Sequence, residues 1–179
     1  MPKQVPAQLS GETTVKFLLD SMLGKLSRWL RMLGHDVLYS TKLNDSELLE
    51  VAKKESRILL TKDLELYQRA VAKSIDTYYV KGETESDHLA ELAQQYNLTL
   101  TVDMERSHCP ICNTKLKSKP KEQLTSELKK NTLTYYNQFW RCPNCGQVYW
   151  QGAHWKQITN TLNEAQKKLM KLKEKTSLC

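Results

Sequence analysis

With 179 residues, 40% apolar and 26% charged, the chain has a globular composition and room for one domain of ordinary size plus a small module, not for two large domains. No run approaches the roughly 18 apolar residues that a membrane span requires, which excludes a membrane-spanning helix. The net charge of +7 hides an asymmetry, because residues 1–104 carry 13 Lys and Arg against 15 Asp and Glu whereas 105–179 carry 14 against 5. So basic a rear half suits a polyanion, nucleic acid first, with a solvated lysine-rich surface as the alternative.

Residues 1–14 are polar and lack the apolar core of a secretory signal, so they read as a flexible tail and the protein as cytoplasmic. Residues 15–104 alternate short apolar runs with amphipathic stretches, the pattern of βα units around a parallel sheet. Strands are predicted at Val15–Leu19, Val37–Tyr39, Ile58–Leu60 and Thr77–Val80, each followed by a polar turn. The first helix, Leu23–Leu33, places Leu23, Leu26, Leu30 and Leu33 on one side, ends at Gly34, and gathers Lys25, Arg28 and Arg31 on another face. A second helix starts at Asn44 or Asp45, where Asn44 caps and Glu47 follows three residues on. Further helices are predicted at Asp63–Ala72 and Ser86–Tyr96, with Leu98–Val102 as one more short strand. Residues 105–155 form a cysteine-containing module, and 156–179 a basic helix with Ile158, Leu162, Ala165, Leu169 and Leu172 at helical spacing.

Cys109-Pro-Ile-Cys112 and Cys142-Pro-Asn-Cys145 are two C-x-x-C turns separated by 29 residues. Two residues between thiolates let both sulfurs of a tight turn reach one tetrahedral ion, and Gly146 supplies a permissive backbone after the second pair. In a reducing compartment this pattern indicates metal rather than disulfides, and four thiolates make a closed, structural Zn²⁺ site. Such a module depends on its metal for folding, and its loss is expected to disturb the rear module far more than the α/β domain. The lysine-rich segment Lys115–Lys130 between the pairs reads as an exposed loop or hairpin extension. His108 and His154 read as packing or surface residues, and Cys179 as a free thiol. Trp140, Tyr149, Trp150 and Trp155 surround the second pair; covering the module's own core is the primary reading, and stacking on bases the alternative.

Three aspartates stand where a parallel sheet collects its ligands. Asp20 closes the first strand, Asp45 opens the second helix, and Asp63 follows the third strand. Clustered carboxylates repel one another unless a hard cation lies between them, which suggests Mg²⁺ or Mn²⁺, and a carboxylate-bound divalent ion suits phosphodiester hydrolysis. On this reading, replacing one aspartate by asparagine relieves repulsion and raises stability. Lys25, Arg28 and Arg31 would hold the substrate's phosphates. Read singly, each aspartate is also an ordinary helix cap or turn residue.

The string Phe17-Leu18-Leu19-Asp20-Ser21-Met22-Leu23-Gly24-Lys25-Leu26-Ser27-Arg28-Trp29-Leu30-Arg31-Met32-Leu33-Gly34-His35-Asp36 closely resembles the opening of the Mut-seven C-terminal RNase family. Asn44-Asp45-Ser46-Glu47-Leu48-Leu49, Arg57-Ile58-Leu59-Leu60-Thr61-Lys62-Asp63, both C-x-x-C pairs and Val148-Tyr149-Trp150-Gln151-Gly152-Ala153-His154-Trp155 agree with it in order, so that the match spans about residues 16–158. The resemblance implies a PIN-like, Rossmann-type parallel sheet with helices on both faces, then a small zinc ribbon and a C-terminal helix. It also implies metal-dependent endoribonuclease activity with RNA as partner. Asp20, Asp45 and Asp63 match its acidic positions and Lys25, Arg28 and Arg31 its basic helix, while Glu65 and Glu47 are candidates for a fourth acid. A non-catalytic RNA-binding or ribosome-associated protein is the alternative, since some related domains have lost catalysis.

Overall fold

The computed structural model describes residues 15–177. The tail expected over residues 1–14 and the thiol of Cys179 lie outside the described residues. Leucine, β-branched and aromatic residues form four short parallel strands, β1 (Lys16–Leu19), β2 (Asp36–Tyr39), β3 (Ile58–Thr61) and β4 (Thr77–Tyr79), in the order β2-β1-β3-β4. Side chains alternate across a strand, so Phe17 and Leu19 enter one layer of core while Leu18 enters the other.

The helices follow from that alternation. α1 (Gly24–Met32), α4 (Glu85–Tyr96) and α6 (Trp155–Ser177) cover the Phe17 face through Leu26, Leu30, Leu89, Leu92, Leu162 and Ala165. On the opposite face, α2 (Asp45–Glu55) and α3 (Leu64–Ala72) bring Leu48, Leu49, Leu66 and Ala70 onto Leu18 and Leu59. Each fully buried leucine contributes about 1.5–3 kcal/mol. α2 and α4 start in capping boxes, Asn44 with Glu47 and Thr84 with Asp87, which satisfy N–H groups left without helical partners.

Leu98–Val102 is not a strand. Leu98 and Leu100 are buried against α4 and α6, and Leu100 O accepts Gln166 Nε2–H at 3.0 Å, so an extended segment spends its backbone on a helix side chain rather than on a ladder. The C-terminal helix is correspondingly part of the core rather than an appendage. Lys168 Nζ joins Asp87 at 2.7 Å, tying α6 to the first turn of α4.

The rear module is an antiparallel sheet of β5 (Lys117–Lys119), β6 (Phe139–Arg141) and β7 (Val148–Tyr149). The lysine-rich insertion is ordered by its own small core. A 3-10 turn at Lys121–Leu124 and the short α5 (Lys130–Tyr135) bring Leu124, Leu128 and Leu133 onto Phe139 and Val148. Among the described residues no helix is long and apolar enough to cross a membrane.

Candidate active site and metal centre

The sheet reverses its direction of growth between β1 and β3, and the carboxyl ends of strands at such a switch point are where open α/β sheets bind ligands. Asp20 follows β1 and is 5% exposed. Its Oδ1 accepts Met22 N–H at 2.8 Å, and its Oδ2 accepts the Thr61 hydroxyl and, at 3.2 Å, Lys62 N–H. Three donors converging on one buried carboxylate fix its position. Thr61 Oγ1 also accepts Asp63 N–H at 2.8 Å, so one buried hydroxyl links the two aspartates. Asp63 itself is exposed, and its Oδ1 caps α3 by accepting Glu65 N–H at 2.8 Å and Leu66 N–H at 3.0 Å.

Asp45 opens α2 at the same carboxyl end of the sheet, but its Oδ2 is paired with Arg69 Nη1 of α3 at 3.0 Å. Among the described residues, these aspartates belong to no group of three or more Asp, Glu, His or Cys placed to hold a metal ion together. The structure thus brings Asp20 and Asp63 together and holds Asp45 aside on an arginine.

The segment after Asp20 walls a cleft of about 420 Å³ that is also lined by Lys25, Tyr39, Lys62, Glu83, Glu85 and His88. A Cβ at Gly24 would stand 2.8 Å from the Tyr39 hydroxyl, which would have to shift to admit it. Glu85 Oε2 is buried with no hydrogen-bond partner. Leaving a buried carboxylate oxygen without a donor costs about 1–3 kcal/mol or more, so this atom fits a site for a cation. His88 and Lys62 brace the same wall by meeting Gly82 O at 2.8 and 2.7 Å.

Of the three basic residues on α1, Lys25 and Arg28 are exposed and Arg31 is not. Three-residue steps rotate by about −60° each, so Arg31 sits about 120° from Lys25, on the flank facing the rear module. At 6% exposure its guanidinium donates to Val37 O from Nε and Nη2, at 3.1 and 2.8 Å, and from Nη1 to Pro110 O and Ile111 O at 2.9 and 3.2 Å. Burial lowers its pKa, partly offset by the nearby Cys109 and Cys112. Arg31 is therefore not part of the exposed basic row of Lys25 and Arg28; it fastens the cysteine module to α1 and β2.

Asn113 completes that joint. It has φ +67°, the same left-handed conformation as Gly146 at +77°, so each cysteine turn is followed by a left-handed residue. Its Oδ1 accepts Val37 N–H at 2.9 Å and its Nδ2 donates to Asp36 at 2.7 Å, capping the edge strand β2. Burial pushes the Asp36 carboxyl up, and hydrogen bonds from Arg57 and Asn113 reverse this and leave it below its ordinary value.

The cysteines form one cluster, with all four Sγ within 4.8 Å of one another, Cys109 to Cys145 at 3.6 Å and Cys112 to Cys142 at 3.3 Å. Four sulfurs at this spacing are a donor set for a tetrahedral ion such as zinc, with no position left for a substrate. Tyr149 Oη lies 3.1 Å from Cys109 Sγ, and Trp140, 5% exposed, donates from Nε1 to Glu105 at 2.8 Å.

A four-stranded parallel sheet flanked by helices, with an aspartate at its switch point and a four-cysteine cluster compatible with a zinc ribbon, defines an α/β protein with a small ribbon module. The profile of the Mut7-C RNAse domain matches residues 15–162, and the chain belongs to that family, which gives it a nuclease or RNA-related role. No curated protein and no solved structure matches the chain.

Of the two fourth-acid candidates, Glu47 is committed to the capping box, its Oε2 accepting Asn44 N–H at 2.8 Å, and Glu65 is exposed in the first turn of α3. Glu83 and Glu85 escaped the sequence reading, although the signal was present. Gly82-Glu83-Thr84-Glu85 repeats after the fourth strand the order of strand end, acid and helix start found after the first three.

Proposed function

We propose that the protein is a Mg²⁺- or Mn²⁺-dependent endoribonuclease that hydrolyses RNA phosphodiesters in the crevice between β1 and β3. The observation that carries this reading is the buried carboxylate of Asp20 at the switch point, beside a cleft where Glu85 keeps an unpartnered buried oxygen. Asp20, Asp63 and Glu85 are the carboxylates offered to the ion, which would have to draw them closer together, with Asp45 at the rim paired to Arg69. A carboxylate-bound divalent ion polarises the phosphoryl oxygen and activates water. Lys25 and Lys62, both lining the cleft, and the exposed Arg28 hold the substrate's phosphates by charge-assisted hydrogen bonds. Thr61 keeps Asp20 and Asp63 in fixed relation. Cys109, Cys112, Cys142 and Cys145 hold a structural zinc ion, and RNA, free or in a ribonucleoprotein such as the ribosome, is the partner.

That no three of these carboxylates form a ready metal-binding group among the described residues favours a second reading, an RNA-binding module without catalysis. A mixed RNA pool incubated with pure protein separates the two. Internal cleavage with added Mn²⁺ or Mg²⁺, none without, and loss of cleavage in Asp63→Asn support the nuclease. RNA bound but never cut with either ion selects the binder.

A further inference from the structure

A second cleft, of about 470 Å³, opens where the cysteine ribbon meets the end of α1 and the head of α6. Tyr136, Tyr149, Trp150 and Trp155 line it, with Met32 and His108. Of the aromatic residues around the second cysteine pair, Trp140 is spent on the core, whereas Tyr149, Trp150 and Trp155 remain half-buried. Two of these rings are held in place, Tyr149 by its hydroxyl on Cys109 Sγ and Trp150 against Phe139 with centroids 6.3 Å apart. Rigid aromatic surface that is left half open binds planar groups at little entropic expense.

The cleft is connected to the acidic crevice by a single helix face. Lys25 lines the crevice and Met32 lines the aromatic cleft, seven residues or about 10 Å apart along α1, and the exposed Arg28 lies between them on the same face. Cations flank the far end too. Lys115, exposed, pairs across a β-bridge with His108, and exposed Lys156 lies in the first turn of α6. Positive charge beside stacking surface matches a single-stranded polyanion with accessible bases, the combination that holds single-stranded nucleic acid. A duplex keeps its bases in the stack and cannot fill the cleft.

We propose that the aromatic cleft is a nucleobase subsite, in which a single strand of RNA lies along α1 with its phosphates on Lys25 and Arg28 and an unpaired base, a few nucleotides from the crevice, stacks against Trp150 and Trp155. The assignment rests on the reading of RNA as substrate and adds a preference for unpaired nucleotides at a fixed distance from the cut.

Fluorescence anisotropy with a short fluorescein-labelled single-stranded oligoribonucleotide, without added divalent ion so that nothing is cut, tests it. Trp155→Leu is expected to weaken binding roughly tenfold, and Trp155→Phe to restore most of the loss. Oligonucleotides made abasic at one position at a time are expected to show one position where the parent protein loses the same factor and Trp155→Leu loses nothing further. That measurement on the parent holds whether or not the leucine variant folds well, and zinc content and melting temperature control for folding. Equal affinity for all abasic strands, or an unchanged Trp155→Leu with zinc retained, overturns the subsite. The nuclease reading is scored separately: cleavage without Trp155 dependence keeps the nuclease and removes the subsite, and Trp155-dependent binding without cleavage does the reverse.

Discussion

Replacing Asp20 by Asn distinguishes two accounts of the acidic crevice by the sign of a stability change. If Asp20, Asp45 and Asp63 simply crowd one another, removing a charge stabilises the fold. The geometry gives the opposite sign. Met22 N–H and Lys62 N–H approach different oxygens of the Asp20 carboxylate, so in either orientation the amide of asparagine turns its NH₂ toward an N–H donor. The Thr61 hydroxyl, which receives Asp63 N–H, also loses its charged acceptor or keeps only a neutral one. One part-buried donor left unpaired against the buried carboxyl site costs about 1–2 kcal/mol, and with the weakened neighbours the expected loss is about 2 kcal/mol. At a urea m-value of about 1–3 kcal/mol/M, the midpoint should fall by roughly 1 M at unchanged m. Asp63→Asn is the control. Its exposed Oδ1 alone caps α3, an amide oxygen can take over both bonds, and the midpoint should move by less than half as much. Urea unfolding followed by far-UV circular dichroism, without divalent ions, gives both values. A midpoint for Asp20→Asn equal to or above the parent's refutes the hydrogen-bond account and restores repulsion as the dominant effect.

Losing the cysteine cluster should reach beyond the ribbon, because its first turn supplies Pro110 O and Ile111 O to the buried Arg31 and Asn113 to the edge of β2. Cys112→Ser is expected to leave a buried guanidinium short of acceptors, destabilise the α/β part by about 3 kcal/mol and shift one thermal transition as a whole; an α/β transition at the parent's temperature would contradict this. His35 is 9% exposed with neither ring nitrogen hydrogen-bonded, and burial, then Arg106 and His108, push its pKa down to about 4. The folded protein thus refuses a proton that the unfolded chain takes up below about pH 6.5, so stability falls with pH between those values, by about 2 kcal/mol at pH 5 relative to pH 7. This window lies above the range where Asp36, whose pKa is lowered, loses its own contribution. In His35→Leu most of the fall should disappear, and an unchanged slope in urea midpoints would assign it to other groups, such as His108, whose pKa burial also lowers.

What the sequence determined by itself is local. Period-two and period-3.6 patterns located the four parallel strands and the helices around them, because burial on a sheet face or helix stripe repeats at those short intervals. Two C-x-x-C pairs announced one sulfur cluster, since each turn is complete within a few residues, and the string around Asp20 carried the family. The tertiary structure alone decided where flanking residues point. Arg31 belongs to the basic row by spacing, yet it is claimed by carbonyls of Pro110 and Ile111, which reach it only after the ribbon docks. Leu98–Val102 has strand-like apolar spacing, yet α6, arriving from the end of the chain, covers it and removes the need for a ladder. Asp45 lies at the same carboxyl end of the sheet as Asp20 and Asp63 but is turned aside by Arg69 on a different helix, while Glu85, inconspicuous among the acids at the start of α4, acquires an unpartnered buried oxygen. Periodicity reports which face a residue occupies within its own element; its partner in space is set by segments tens of residues away, whose approach leaves no mark on that local spacing.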